Sequence, residues 1–220
     1  MNSLPKPTQK QVKNLFKEAC LSDKVDEHGN WEFGAEFDKK GRGYAINWDL
    51  YAVGRDVHTK RTLIIIQIRK WEQRRTRGFA NIRKSYFLIG RNEDKTTFAH
   101  SIESRVIHYA IKNGDCPIYA AQTWIFGADY KKVIRQGDIA LVPVRAITKE
   151  AVNLDDKEIV ILDSHKLEAD NIYKNGVLYA KNPRLTHTPG THPFVQGDGL
   201  YKIMVGRRAS YHDFAAPTID

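Results

Sequence analysis

The pattern of apolar positions predicts a β-hairpin in the first half of the chain. Residues 44–53 form one predicted strand, a polar turn covers 54–60, and residues 62–71 form the next strand. Residues 63–66 are apolar on both faces, which predicts that this second strand lies centrally in a sheet. A further strand is predicted over 84–89.

Apolar residues at helical spacing predict three helices. The first follows Thr8, which fits a capping box with Gln11, and extends to residue 20. The others cover 101–113 and 117–126, where Gly114 ends one helix and Pro117 begins the next. Between the first helix and the hairpin, the polar, glycine-rich residues 22–43 predict either a long loop or two short edge strands.

The second half of the chain has the pattern of β-structure. Strands are predicted over 139–144, 158–162 and 200–205, and Asn175-Gly176 predicts a type I′ hairpin turn. This order of elements predicts an α+β fold with an antiparallel or mixed sheet, two central helices and a β-rich C-terminal half. We expect either one domain over 1–220 or a division near 128–137 into an α+β part and a β-rich part.

Composition narrows the class of protein. With 220 residues, of which 41% are apolar, the chain can bury a sizeable core. No apolar run approaches the roughly 20 residues that span a bilayer, and the N-terminus lacks the apolar segment of a secretory signal. Cys20 and Cys116 are too few for a disulfide framework or a zinc ribbon. We therefore expect a cytoplasmic protein without a membrane partner.

The excess positive charge lies in one stretch, residues 60–91. This window has ten Lys or Arg residues and a single acid, Glu72, so its net charge of +9 equals that of the whole chain. Aromatic residues are interleaved with these charges: Trp71, Phe79, Tyr86 and Phe87. Basic side chains release counterions from phosphates and aromatic rings stack on bases, so the window predicts a DNA- or RNA-binding surface.

The basic residues that we expect to contact nucleic acid lie in this window and near the C-terminus. They are Arg69, Lys70, Arg74, Arg75, Arg77, Arg83, Lys84, Arg207 and Arg208. The sequence leaves open whether the partner is DNA or RNA. An adaptor that binds an acidic protein partner is a third hypothesis, and a solvated charged loop would have the same composition.

A nuclease is the alternative function. An acidic residue on one strand, a Glu or Gln two positions before a basic residue on the next strand, and a preceding acid are typical of Mg²⁺-dependent nucleases. Asp49, Gln67 and Glu36 are the candidate catalytic residues, and Arg69 stands where a lysine is expected. A local ion pair of Asp49 and a polar sheet face at Gln67 and Arg69 would explain the same residues.

Histidines near the C-terminus form a candidate zinc site. Asp163 and His165 are two residues apart, so their side chains share a face if they end a strand. His187 and His192 flank Pro189-Gly190 and can converge across that turn. Imidazole nitrogens with one carboxylate suit Zn²⁺ or another divalent metal. Polar loop residues near Pro and Gly would account for the same pattern.

Overall fold

A computed structural model describes residues 8, 34–37, 43–73, 81–91, 97–188 and 193–209. The predicted N-terminal helix lies outside these residues, apart from the exposed Thr8. The chain divides into two compact units. Unit 1 comprises Met1–Ala121 and Arg208–Asp220, and unit 2 comprises Gln122–Arg207.

Unit 1 contains an antiparallel sheet whose strands lie in chain order. These are β1 (Gly34–Phe37), β2 (Gly43–Arg55), β3 (Thr62–Gln73), β4 (Asn81–Arg91) and β5 (Thr97–Ile102). The central position of β3 is confirmed, because the apolar residues 63–66 and Ile68 are buried on both of its faces. The turn between β2 and β3 is held by Asp56, whose carboxylate accepts the backbone N–H groups of His58 and Thr59 at 2.8 Å.

Two helices follow the sheet: α1 (Ser104–Asn113) and α2 (Pro117–Phe126). Gly114 adopts a left-handed φ of 74° and ends α1 as predicted. The predicted start of α1 at residue 101 is wrong. Ser101 and Ile102 pair with β4 as the end of β5, and Glu103 is extended, so the helix begins at Ser104. Pairing with β4 thus overrides the helical spacing.

Unit 2 is a β-structure of two antiparallel sheets. The strands are β6 (Ile134–Gln136), β7 (Ile139–Pro143), β8 (Val152–Leu154), β9 (Glu158–Ile161), β10 (His165–Glu168), β11 (Asn171–Asn175), β12 (Val177–Lys181), β13 (Arg184–His187), β14 (Val195–Gln196) and β15 (Leu200–Val205). One sheet has the order β6-β7-β15-β12-β11-β8 and the other has the order β14-β13-β10-β9. The predicted α+β fold with a β-rich C-terminal half is confirmed, and these sheets are antiparallel.

Both sheets of unit 2 contribute side chains to one core. Leu167 and Leu185 come from the smaller sheet, whereas Leu141, Ile172 and Ile203 come from the larger one. The hairpin at Asn175-Gly176 is confirmed, but its predicted type I′ turn is wrong. That turn needs positive φ at both central residues, and only Gly176 has it, at 61°.

The two-sided burial of β3 generates a stability prediction. Ile65→Ala should lower the free energy of unfolding by about 2–5 kcal/mol, because the truncation leaves a cavity under a covered sheet. The matched control is Ile82→Ala on β4, where the isoleucine is 57% exposed. We expect a change below about 0.5 kcal/mol there. Urea unfolding of both variants measures the difference, and equal losses would contradict the central position of β3.

Candidate functional site

Two cross-strand pairs of basic residues lie at one end of the β3–β4 hairpin. In the register of the two strands, Arg69 lies opposite Lys84 and Lys70 lies opposite Arg83. We call these four residues the basic hairpin end. Arg69 and Arg83 are half-buried, and Lys84 is exposed. Consecutive residues alternate between the two faces of a sheet, so the two pairs belong to opposite faces, and like charges directly opposite each other are destabilising.

The arginine-rich segment connects these two strands. β3 ends at Gln73 and β4 begins at Asn81, so residues 74–80 join the strands at the basic hairpin end. The predicted contacts Arg74, Arg75 and Arg77 belong to this connection and lie outside the described residues.

The charges of the 60–91 window separate in space. Lys60 and Arg61 precede β3, and Arg91 ends β4 at the same edge of the hairpin. Arg61 is eight residues from Arg69 along an extended strand, or roughly 26 Å. The window therefore forms a basic cluster at one end of the hairpin and a separate group at the other.

The predicted stacking role of Tyr86 and Phe87 is wrong. Successive β4 residues point to opposite faces of the sheet, and both faces are covered here, so each ring is 2% exposed. Neither ring can reach a base. Trp71 lies on β3, and Phe79 lies outside the described residues. In the described part of this surface, basic side chains are therefore present to contact phosphates, but the rings of Tyr86 and Phe87 are not exposed.

Asp49, a predicted metal ligand, lies next to the basic hairpin end. It is directly opposite Gln67 across β2 and β3, the two adjacent strands on which the sequence places these residues. Its carboxylate forms a salt bridge with Arg69, at 2.7 Å from Oδ2 to Nη2. The two side chains are 45% and 36% exposed. An ion pair with this exposure contributes about 0–1 kcal/mol, so it orients Arg69 more than it stabilises the fold.

Glu36 is not brought to Asp49. It lies on β1 opposite Tyr44, and Tyr44 is five residues from Asp49 along β2. At 3.3 Å per residue this offset is roughly 16 Å, which is beyond the span of one metal ion's ligands. The structure therefore places two of the three candidate catalytic residues together, and Glu36 elsewhere on the sheet.

Gln67 belongs to a buried polar cluster that the sequence did not reveal. Its side-chain amide donates hydrogen bonds to the hydroxyl groups of Tyr51, at 3.1 Å, and Tyr86. The Tyr86 hydroxyl also lies 2.8 Å from Nε2 of His108 on α1. Gln67 and Tyr86 are both 2% exposed. Because the amide nitrogen is committed to two phenols, Gln67 serves this cluster as a hydrogen-bond donor.

A β-bulge places Tyr51 in the cluster. The pairing of β2 with β3 shifts between Leu50 and Ala52, which leaves Tyr51 as the extra residue. Its ring packs edge-on against Tyr86, with ring centroids 5.2 Å apart. Burial, and then the contact with Tyr51, raise the pKa of Tyr86 to about 12, so its hydroxyl stays protonated at an alkaline pH that ionises an ordinary tyrosine. The cluster therefore joins β2, β3, β4 and α1 through side-chain hydrogen bonds.

The predicted metal site in unit 2 is brought together in part. His165 and His187 are cross-strand partners on β10 and β13, with ring centroids 4.6 Å apart. Asp163 lies instead in the turn before β10, exposed and with a φ of 53°. His192 lies outside the described residues. Within the described ranges, no group of three or more His, Cys, Asp or Glu residues is arranged to hold a metal ion.

Arg207 has a structural contact, and Arg208 is exposed. The Arg207 side chain donates from Nε to the carbonyl of Trp124 at 2.9 Å, and its guanidinium lies 5.4 Å from the centre of that indole ring. Arg207 thereby caps the last turn of α2, where cations are favourable. This role accounts for Arg207 without a ligand.

Comparisons of the chain with protein-family models, curated proteins and solved structures gave no match. In the described part of the chain, no helix is long and apolar enough to cross a membrane.

The buried cluster generates a pH prediction. Tyr86→Phe should lower the free energy of unfolding by about 1–3 kcal/mol at neutral pH, because Gln67 loses an acceptor. The folded pKa of Tyr86, about 12, exceeds its ordinary value of 10.0, so its stabilising contribution is complete below pH 10 and is lost as the pH rises through 12. Denaturant unfolding at about pH 9 and about pH 11.5 should therefore show wild type losing more stability than Tyr86→Phe.

The control for this measurement is Tyr109→Phe, since Tyr109 is 69% exposed. That variant should follow the wild-type pH dependence. If Tyr86→Phe also follows it, the phenol of Tyr86 is not held in the protonated form by the fold.

Proposed function

We propose that this chain binds nucleic acid through the basic hairpin end, by contacts to phosphates and without base-specific readout. The observation that supports the proposal is the register that sets Arg69 against Lys84 and Lys70 against Arg83. Each directly opposed pair of like charges costs the free protein about 0.2–1 kcal/mol, and the salt bridge with Asp49 offsets part of that cost at Arg69. A polyanion relieves that repulsion and gains counterion release at the same time.

The distribution of acidic residues supports an anionic ligand. On β3 and β4, Glu72 is the one acidic residue, and Asp49 on the neighbouring strand β2 pairs with Arg69. The connection between β3 and β4 adds Arg74, Arg75 and Arg77 to the same hairpin. Basic residues therefore outnumber acidic ones locally, while they are balanced over the rest of the chain.

The burial of Tyr86 and Phe87 supports binding through phosphate contacts. Proteins that bind single strands combine a basic groove with exposed aromatic rings. Neither of these two rings is available, so phosphate contacts carry the affinity. Phosphate contacts fix the position of a protein on nucleic acid but do not read its sequence. We therefore expect similar affinity for unrelated sequences of the same length.

A charge-matched pair of double variants tests this proposal. The double variant Arg83→Gln with Lys84→Gln should weaken binding to a duplex of about 20 base pairs. The plot of log affinity against log salt concentration should also become shallower, by about 0.9 for each phosphate that the protein no longer neutralises. Lys60→Gln with Arg61→Gln removes the same charge at the opposite end of the hairpin and should leave the slope unchanged. Equal effects of the two double variants would contradict a localised site.

Competition separates nucleic acid from an acidic protein partner. Polyglutamate matched in charge to the duplex should displace it poorly, because carboxylates on a flexible chain do not reproduce the spacing of a duplex backbone. Displacement at equal charge concentration would favour the adaptor hypothesis instead.

A nuclease is the second candidate, and the exposed carboxylate of Asp49 beside the basic hairpin end favours it, whereas Gln67 is buried and bonded to Tyr51 and Tyr86. Asp49 is 45% exposed, so a hydrated Mg²⁺ can reach its carboxylate. Asp49→Asn preserves the shape of the side chain but removes the charge that such a metal requires. If Mg²⁺-dependent cleavage of the duplex occurs, this variant should abolish it and retain the duplex with equal or higher affinity. Cleavage that survives in Asp49→Asn would exclude Asp49 as a metal ligand.

A further inference from the structure

The histidine pair of unit 2 lies at the edge of a hydrophobic core. His165 and Leu167 alternate with outward-facing residues of β10, and Leu167 and Leu185 form the next cross-strand pair on the same face. His165 is 5% exposed and His187 is half-buried. Two imidazoles thus occupy a core-edge position at the end of the sheet, where a pair of aliphatic side chains would pack equally well.

Both histidines present their rings to the same space. The ring centroids are 4.6 Å apart, and the ring planes are inclined by 59°. Zinc binds imidazole nitrogen at about 2.0–2.1 Å, so two rings at this separation can each direct one nitrogen at a single ion. A cross-strand pair also holds the two ligands at a fixed spacing, because the strand register sets it.

Ser164 holds the His165 ring in an orientation suited to a ligand. Its hydroxyl oxygen lies 3.0 Å from Nδ1 of His165 and also donates to the carbonyl of Leu162 at 3.0 Å. Since that carbonyl takes the hydroxyl proton, Nδ1–H of His165 donates to the serine oxygen. This tautomer puts the lone pair of the ring on Nε2. Metal-binding histidines are characteristically held by such a partner on their other nitrogen.

The backbone around the pair is fixed and leaves room beside Nε2. The carbonyl of Ser164 accepts the N–H of Thr188 at 2.7 Å, which joins the start of β10 to the end of β13. Gly137, with a φ of 57°, lies beside the His165 ring. A Cβ atom at Gly137 would lie 3.6 Å from Nε2, so a larger side chain there would fill the space next to the lone pair.

From these contacts we infer that His165 and His187 bind a divalent transition-metal ion of the zinc class, through Nε2 of His165 and one nitrogen of His187. Imidazole pairs suit zinc, copper and nickel, in contrast to the carboxylate sites that Mg²⁺ prefers. The ion links β10 to β13. This site is independent of the basic hairpin end, so either assignment can fail without the other.

Zinc titration of the full chain tests the site. After dialysis against a chelator, the wild-type protein should bind one Zn²⁺ per chain by calorimetry, and its thermal midpoint should rise with Zn²⁺ concentration. His165→Gln and His187→Gln should each abolish this binding. His58→Gln, a change at an exposed histidine of unit 1, should leave it intact. Absence of Zn²⁺ binding in the wild type, or binding that survives both site variants, would overturn the inference.

Two further measurements test the site without relying on the histidine variants, which could lose binding simply because they fail to fold. Ser164→Ala keeps both ligands and should weaken Zn²⁺ binding roughly tenfold or more, since the His165 ring loses its orienting partner. In the wild-type protein, Zn²⁺ should shift the imidazole ¹⁵N resonances of His165 and His187 and leave that of His58 in place. Unchanged resonances of the pair would also overturn the inference.

Discussion

The burial of β3 on both faces is the constraint on which unit 1 depends. Leu63, Ile65 and Gln67 face one side, Ile64, Ile66 and Ile68 face the other, and each is at most 3% exposed. A shift of one residue in register would exchange these two sets and bring Arg69 to the covered side occupied by Ile68. The register is therefore strongly determined, and it fixes which residues of β2 and β4 lie beside Gln67 and Arg69.

The same constraint explains why a polar cluster is present in the sheet. Gln67 falls in a covered position, where an amide without hydrogen bonds would cost several kcal/mol. Tyr51 and Tyr86 supply acceptors from both neighbouring strands, and the bulge at Tyr51 brings the first of them into reach. After Ile68, the next residue on β3 is Arg69, which is only half-buried. The basic hairpin end thus begins where the burial of β3 stops.

The sequence predicted elements whose signal is local and missed those that depend on pairing. The apolar run at 63–66 was sufficient to predict a central strand, and Gly114 and Pro117 marked helix ends correctly. β5 and β13 were missed because their residues have no strong alternation, and pairing with β4 and β10 makes them strands. For the site, adjacency of Asp49 and Gln67 was predictable from the hairpin. The cluster around Gln67 was not, since a bulge and a helix complete it.

The ion pair of Asp49 with Arg69 relates the two candidate functions of unit 1. The pair is exposed and contributes about 0–1 kcal/mol, so little energy opposes its exchange for another partner. A phosphate that contacts Nη2 of Arg69 would compete with Asp49 for that donor, since charge-assisted hydrogen bonds to either anion are of similar kind. Binding of a phosphate would thereby release the Asp49 carboxylate beside the bound backbone, where its negative charge is unfavourable unless a cation joins it. In a protein that only binds nucleic acid this repulsion weakens the complex, whereas a nuclease uses the released carboxylate to hold Mg²⁺ next to the phosphate. The negative charge of Asp49 would therefore weaken the complex in a protein that only binds nucleic acid, whereas in a nuclease it would be needed to hold the metal ion.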